Sequence, residues 1–130
     1  MKCVFAIGFL LITCAAAQST EDTPMYRDAT KYLLANLKDP DSAQVRAAAW
    51  TTTKDGRNLY IEYGAKSSLG GYEVGVLAYP AKRNRFYFYD PSYNPKKWAH
   101  CDRKMDKQEL TCTDVTDAMK TVFKELHTAQ

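Results

Sequence analysis

Residues 43–63, AQVRAAAWTTTKDGRNLYIEY, decide the fold because they hold two strand patterns joined by a turn. From Ala43 the small and apolar residues recur at every second position, which is typical of a strand. Asp55-Gly56 is a strong hairpin signal, because glycine accepts the backbone conformations that a tight turn requires. Leu59, Ile61 and Tyr63 then return at the same spacing. The stretch predicts an antiparallel β-hairpin.

The same period of two continues on both sides of the second turn. A third strand is predicted over Tyr72–Tyr79 and a fourth over Arg85–Tyr89, giving an antiparallel sheet of about four strands. The prediction for the first strand also assigns its faces. One face holds Ala43, Val45, Ala47 and Ala49, and the other holds Gln44, Arg46 and Trp50.

Helical patterns flank the strands at both ends. Thr23 is the predicted cap of the first helix, with Pro24 at its first position, and the helix should end at Lys38-Asp39 before Pro40. Thr113 is the predicted cap of the last helix. Its apolar stripe comprises Val115, Met119, Val122, Phe123 and Leu126. This order predicts an α+β fold in which the helices cover one face of the sheet.

Two cysteines lie late in the chain, with ten residues between them. We expect Trp98–Cys101 and Leu110–Cys112 to form a small hairpin that a Cys101–Cys112 disulfide closes, as in exported proteins. A metal site that uses His100 is the weaker alternative, because His127 is the only other histidine. No metal and no cofactor is predicted.

The N-terminus has the pattern of a secretory signal peptide. Lys2 precedes an apolar run, residues 4–12, and Ala15-Ala16-Ala17 supplies the small residues of a cleavage site. The prediction is a signal peptide over 1–17, a flexible tether over 18–22 and one α+β domain over 23–130. The alternative is a lipoprotein anchored through Cys14. Either form is periplasmic or secreted, and the apolar run is too short for a permanent transmembrane helix.

Charge excludes one class of partner. The formal net charge is +3, and removal of Lys2 with the signal peptide lowers it by one unit. A nearly balanced chain gives no reason to expect nucleic-acid binding. The oligomeric state is not specified by the sequence.

The connection between the second and third strands is the candidate binding site. Paired glycines allow positive φ and expose peptide N–H groups, serines add donors, and a tyrosine is a typical interface anchor. The alternative is a long hairpin connection whose glycines only serve the turn. The predicted binding residues here are Lys66, Ser67, Ser68, Gly70, Gly71 and Tyr72.

Two segments in order carry a resemblance to a known group. Residues 37–44, LKDPDSAQ, and 64–72, GAKSSLGGY, resemble a pattern, "LKDPDSAxF" then "NAKNSxGGYxG", found in small exported bacterial and prophage proteins. The resemblance implies an exported periplasmic protein or lipoprotein and implies no activity. This chain departs from the pattern at Gly64, Ser67 and Val45, and one extra residue separates Tyr72 from Gly75. It also lacks the cysteine that often precedes the second segment.

A basic and aromatic segment follows, over residues 82–107. Lys and Arg outnumber Asp there, and aromatic residues are interleaved with them, which suits anionic polymers or glycans. A solvated face with ordinary core aromatics is the competing interpretation. We expect Arg83, Lys97 and Trp98 to extend the binding surface if this face lies near the loop.

Catalysis has little support in the sequence. Ser67 or Ser68 would need a histidine base and an orienting acid, and no nucleophile-elbow sequence is present. We therefore predict a non-enzymatic binding protein whose partner is a protein or an envelope component. One alternative is an inhibitor of a cell-wall-degrading enzyme, because the loop loosely resembles the inserting loop of periplasmic lysozyme inhibitors. The other is a small envelope hydrolase that depends on His127.

Overall fold

The computed structural model describes residues 20–89 and 109–129, and in these ranges it is an α+β domain. A short 3-10 turn, Thr20–Asp22, leads into helix α1, Thr23–Asn36. The five antiparallel strands are β1 Gln44–Thr53, β2 Gly56–Lys66, β3 Tyr72–Tyr79, β4 Tyr87–Tyr89 and β5 Glu109–Asp114, and helix α2 is Thr116–Thr128. The strand order across the sheet is β4-β3-β2-β1-β5. The α+β class is confirmed.

The first hairpin forms where the sequence predicts it. β1 and β2 pair from Gln44 opposite Gly64 to Thr53 opposite Gly56. Gly56 has a φ of 124°, a conformation that residues with a Cβ rarely adopt. Asp55-Gly56 therefore sets the register of the central strand pair.

A register shift in β1 makes the predicted face assignment wrong. Between Val45 and Ala47 the pairing with β2 slips, as at a β-bulge, and the alternation of the strand changes there. Val45 and Trp50, predicted on opposite faces, both join the core under the helices. Ala47 and Ala49 are buried on the other face. Strict alternation cannot anticipate one extra residue.

Both helices pack on one face of the sheet, as predicted. The core joins Leu33 of α1 and Met119 of α2, each 0 % exposed, to Leu59, Ile61 and Leu77 of the central strands. The opposite face is also buried in the middle of the sheet, at Val76 and neighbouring alanines. Residues on both faces of β1 and β3 are thus shielded from solvent.

The sheet has five strands, rather than about four, because Leu110–Cys112 belongs to β5. β5 pairs with β1, with Cys112 opposite Thr51. Trp98–Cys101 lies outside the described residues, as do Lys97 and His100, so the closed hairpin and the Cys101–Cys112 disulfide stay predictions. The signal peptide, residues 1–17, and Cys14 also lie outside them.

The predicted N-terminal caps are wrong by one residue in α1 and by two residues in α2, where Val115 is the cap. Thr23 is the first residue of α1, and Asp22 occupies the cap position without a side-chain hydrogen bond. The helix ends at Asn36, since Leu37 is already extended. Thr113 lies in β5, and the Asp114 carboxylate accepts the Thr116 N–H at 2.8 Å instead.

Helix α1 is fastened to the sheet by polar contacts near its start. The indole Nε1–H of Trp50 donates to the Tyr26 hydroxyl at 2.9 Å. The Arg57 guanidinium lies 3.9 Å from the Trp50 ring and donates to both carboxylate oxygens of Asp22, at 3.0 and 3.1 Å. Asp22 was predicted to lie in a flexible tether, and in the structure it contacts the β1–β2 hairpin.

Two functional features are missing from the described part of the chain. Neither described helix is long and apolar enough to cross a bilayer. Within residues 20–89 and 109–129, no group of three His, Cys, Asp or Glu side chains is placed to hold a metal ion.

Candidate functional site: the tip of the β2–β3 hairpin

The second hairpin ends in a short, ordered turn. β2 continues to Lys66 and β3 starts at Tyr72, so the predicted loop over 64–75 is mostly strand. The Ser67 N–H donates to the Gly71 carbonyl at 2.8 Å, and the Gly70 N–H donates to the Ser67 carbonyl at 3.0 Å. Gly70 has a φ of 84°, which favours glycine at this position. We call residues 66–72 the tip.

The serines of the tip have different surroundings. The Ser67 hydroxyl accepts the Leu69 N–H at 3.3 Å, so its oxygen helps to shape the turn. Ser68 is exposed. His127 contacts the Pro40 carbonyl at 2.9 Å and stacks on Phe123. Within the described residues, no hydrogen bond joins a histidine to either serine.

The exposed apolar surface of the tip is its main feature. Leu69 is 94 % exposed and Tyr72 is 48 % exposed. Among the described residues, Phe88 is the only other large hydrophobic side chain that is exposed, and it stacks on Tyr32. Leu69 was not among the predicted binding residues, although it is the one apolar residue in the run SSLGG.

Two tyrosine–glycine contacts pack β2 against β3 near the tip, and we call this part of the strand pair, residues 63–75, the distal hairpin. Tyr63 faces Gly75 across the β2–β3 pair, and a Cβ at Gly75 would lie 2.7 Å from the Tyr63 Cζ. On the other face the Tyr72 ring lies over Gly64, where a Cβ would be 2.7 Å from its Cζ. Each aromatic ring fills the space of a missing side chain on the neighbouring strand, so the two strands are locked on both faces.

The start of the tip is held by the segment that precedes β1. The Ser42 hydroxyl donates to the Asp39 carbonyl at 2.7 Å and accepts the Lys66 N–H at 2.8 Å. The Pro40 carbonyl accepts the Ala43 N–H at 3.1 Å. The two segments that carry the family resemblance, 37–44 and 64–72, therefore meet at Ser42 and Lys66.

Charges at this end of the molecule are few and unpaired within the described chain. Lys66 and Glu73 are exposed, and the only ion pair among the described residues is Arg57–Asp22. Burial raises the pKa of Tyr63 above its ordinary value, and the nearby Glu73 carboxylate adds to that effect. Glu73 is on the same face as Tyr63, because Tyr63 lies opposite Gly75 and Glu73 is two residues from Gly75 in β3.

The structure separates Arg83 from the tip. Arg83 lies in the turn Pro80–Asn84, which follows the far end of β3, and its guanidinium is 5.1 Å from the Tyr87 ring. The whole length of β3 lies between this turn and Tyr72. Lys97 and Trp98, the other residues of the predicted extension, lie outside the described ranges. The structure brings together Lys66, Ser67, Ser68, Gly70, Gly71 and Tyr72, and it adds Leu69 and Glu73.

Comparison of the chain with protein-family models, curated proteins and solved structures finds no match.

Proposed function

We propose that this chain is an exported, non-enzymatic binding protein and that the tip of the β2–β3 hairpin contacts its partner. The observation that supports it most directly is the exposure of Leu69 at 94 %, beside a half-exposed Tyr72, on a turn held by its own hydrogen bonds. An exposed leucine on a fixed turn has little ordering entropy to lose on binding. The partner is a protein or another component of the cell envelope.

Binding, rather than catalysis, fits the polar groups of this surface. The Ser67 oxygen is engaged by the Leu69 N–H, and the described residues hold no base beside Ser68. Nucleophilic catalysis by serine needs such a base within hydrogen-bonding reach. The tip offers instead an apolar anchor, an aromatic ring and the exposed charge of Lys66, with the exposed Glu73 next to it.

Export, cleavage after Ala17 and a Cys101–Cys112 bridge complete the proposal. They are supported by the N-terminal sequence pattern and by the even pair of cysteines. The intact mass of protein recovered from an exporting cell tests all three together. The proposal expects the mass of residues 18–130 less two hydrogens. A lipidated N-terminus at Cys14 would establish the anchored form in its place.

Affinity capture from an envelope extract tests the binding surface. The full exported chain serves as bait, with Leu69→Ser and Tyr72→Ala as variants and Lys54→Ala, in the β1–β2 turn, as the matched control. Truncating an interface anchor costs about 2 kcal/mol or more, so each tip variant should lose most of the captured partner. Equal capture by all four proteins, each shown to be folded, would refute a role for the tip.

A further inference from the structure

The turn between β3 and β4 carries a small basic cluster, at the end of β3 far from the tip. Its side chains Lys82, Arg83 and Arg85 are exposed. The guanidinium groups of Arg83 and Arg85 each lie 5.1 Å from the ring of Tyr87 in β4. We call Arg83, Arg85 and Tyr87 the Arg–Tyr cluster.

Hydrogen bonds fix the turn on which the two arginines stand. The Pro80 carbonyl accepts the Arg83 N–H at 3.1 Å and the Asn84 N–H at 2.9 Å. The Tyr79 hydroxyl donates to Asn84 Oδ1 at 2.7 Å. Asn84 has a φ of 52°, a left-handed conformation that asparagine tolerates better than most residues. The backbone of the turn is therefore ordered before a ligand arrives, which lowers the entropic cost of binding.

The charges around the turn do not cancel. The β1–β2 turn lies beside it, where a Cβ at Gly56 would be 3.0 Å from that of Ala81. That neighbouring turn adds one charge of each sign, Lys54 and Asp55. The following residues, 90–108, hold five Lys or Arg and three Asp, so their acids are already outnumbered by their own bases. This part of the chain keeps an excess of positive charge.

The two guanidinium groups repel each other unless an anion lies near both. Each is 5.1 Å from the same ring, so the two charges are no more than about 10 Å apart, within reach of each other at moderate ionic strength. No acidic side chain of residues 20–89 or 109–129 forms an ion pair with either group. Contact with an aromatic ring occupies the face of a guanidinium and leaves its N–H groups free to donate.

The Tyr87 hydroxyl adds a further donor. Among the described residues, it is the one buried side-chain polar atom that has no hydrogen-bond partner. Such atoms are rare, because burial of an unpaired donor costs free energy. Tyr87 also lines an open groove together with Asn84 and Arg85, which gives an anion room beside these donors.

The number of donors defines the chemistry of the ligand. A carboxylate carries a single charge and has two oxygens, which the fork of one arginine satisfies. A phosphate monoester carries a charge of about −1.5 to −2 and three terminal oxygens, so it can accept from both arginines and from the hydroxyl. We propose that the Arg–Tyr cluster binds a phosphate monoester group, either soluble or in a lipid headgroup. The site is separate from the tip, so this inference does not depend on the proposed function.

Inorganic phosphate, added to the isotope-labelled exported chain, is the first probe. The titration is done near pH 8, about two units above the second pKa of a phosphate ester, with sodium chloride keeping the ionic strength constant. The measurement is the chemical shift of the backbone amides and the arginine Nε–H groups. Phosphate should shift the signals of Arg83 and Arg85 and saturate them. Acetate, the comparison anion, should bind about fivefold more weakly or less tightly still.

Variants locate the site. Arg83→Gln/Arg85→Gln should weaken phosphate binding about tenfold or more, and Tyr87→Phe should weaken it about threefold. The matched control, Arg27→Gln/Arg46→Gln, removes two exposed arginines elsewhere and should change the affinity less than about twofold. Equal weakening by the two double variants, or shifts that do not saturate, would overturn the site in favour of general charge attraction. Unchanged affinity in Tyr87→Phe would overturn the role of the hydroxyl.

Vesicles distinguish the two sources of the phosphate group. Co-sedimentation with vesicles of phosphatidylcholine and phosphatidic acid, lost with phosphatidylcholine alone and in Arg83→Gln/Arg85→Gln, would support the site and assign it to a lipid headgroup. Saturable phosphate binding without such co-sedimentation would support a site for a soluble phosphate ester. Absence of binding in both assays would overturn the inference, and capture that depends on Leu69 would be unaffected.

Discussion

Two glycines of the distal hairpin have a packing role, whereas the glycines of the tip serve the turn. Gly64 and Gly75 leave room for the rings of Tyr72 and Tyr63. Gly70 and Gly71 have no neighbouring atom within 4 Å of the position of a Cβ. At the scale of single residues, the glycines of this hairpin therefore have two different roles: some make room for an aromatic ring, and others serve the turn.

Substitution of Gly75 tests this distinction. Gly75→Ala forces the Tyr63 ring to move and should lower the free energy of unfolding by about 1–3 kcal/mol. Gly71→Ala, the matched control, has free space around the new methyl group and should change it by less than about 0.5 kcal/mol. Urea unfolding measures both. Similar losses in the two variants would contradict the packing role.

Ser42 provides a second prediction at this scale. Ser42→Ala removes the acceptor of the Lys66 N–H and should lower the free energy of unfolding by about 1 kcal/mol. The Lys66 amide should also exchange with deuterium faster than in the parent chain. Ser68→Ala, at the exposed tip, is the control and should leave both quantities unchanged. A Lys66 amide with unaltered protection in Ser42→Ala would show that this hydrogen bond does not hold the hairpin.

At the scale of elements, the contacts of Trp50 and Thr116 place the helices on the sheet. Trp50 reaches α1 through Tyr26, because the register shift in β1 turns the indole to the helix side. α2 is positioned by β1 as well, since the Ala48 N–H donates to the Thr116 hydroxyl at 3.0 Å. The Val115 N–H donates to the Ala48 carbonyl at 2.9 Å. β1 is therefore the strand to which both helices are attached.

Tyr26→Phe tests the attachment of α1. The substitution keeps the ring but leaves the Trp50 indole N–H buried without its acceptor, which should cost about 1–3 kcal/mol of unfolding free energy. Tyr72→Phe, whose ring is half exposed, is the control and should cost less than about 0.5 kcal/mol. Thermal unfolding followed by tryptophan fluorescence compares the two. Equal melting temperatures would mean that the Tyr26 hydroxyl does not stabilise the domain.

At the scale of the whole molecule, two tyrosines should make the free energy of unfolding depend on pH in the alkaline range. Burial raises the pKa of Tyr26 and of Tyr63 above the ordinary tyrosine value. In the unfolded chain both groups ionise near pH 10, while in the folded chain they retain their protons to higher pH. The unfolded state then binds fewer protons, so the free energy of unfolding falls as pH rises.

We expect these two groups to leave the free energy of unfolding constant below about pH 10. Above pH 10 it should decline as the pH rises through their folded-state pKa values. Tyr63→Phe removes one of the groups while keeping its ring over Gly75, so its decline should be shallower. Urea unfolding across the alkaline range measures both slopes. Identical slopes in the parent and Tyr63→Phe would mean that Tyr63 is not responsible.

The sequence by itself determined the class of the domain and most of its elements. Periods of two and of 3.6 residues predicted the helices and four strands, and β3 falls on its predicted bounds, Tyr72–Tyr79. The Asp55-Gly56 turn and the apolar stripe of α2 were also local signals. Such features are readable because backbone conformation and alternation depend on neighbours in the chain.

Only the tertiary structure decided on which face of the sheet the β1 side chains lie and which distant segments pair with each other. The slip between Val45 and Ala47 moved Trp50 to the helix side, and pairing with β1 made Leu110–Cys112 the fifth strand. The same holds for the meeting of Ser42 with Lys66. Contacts between residues far apart in sequence depend on register and packing, which no local pattern encodes.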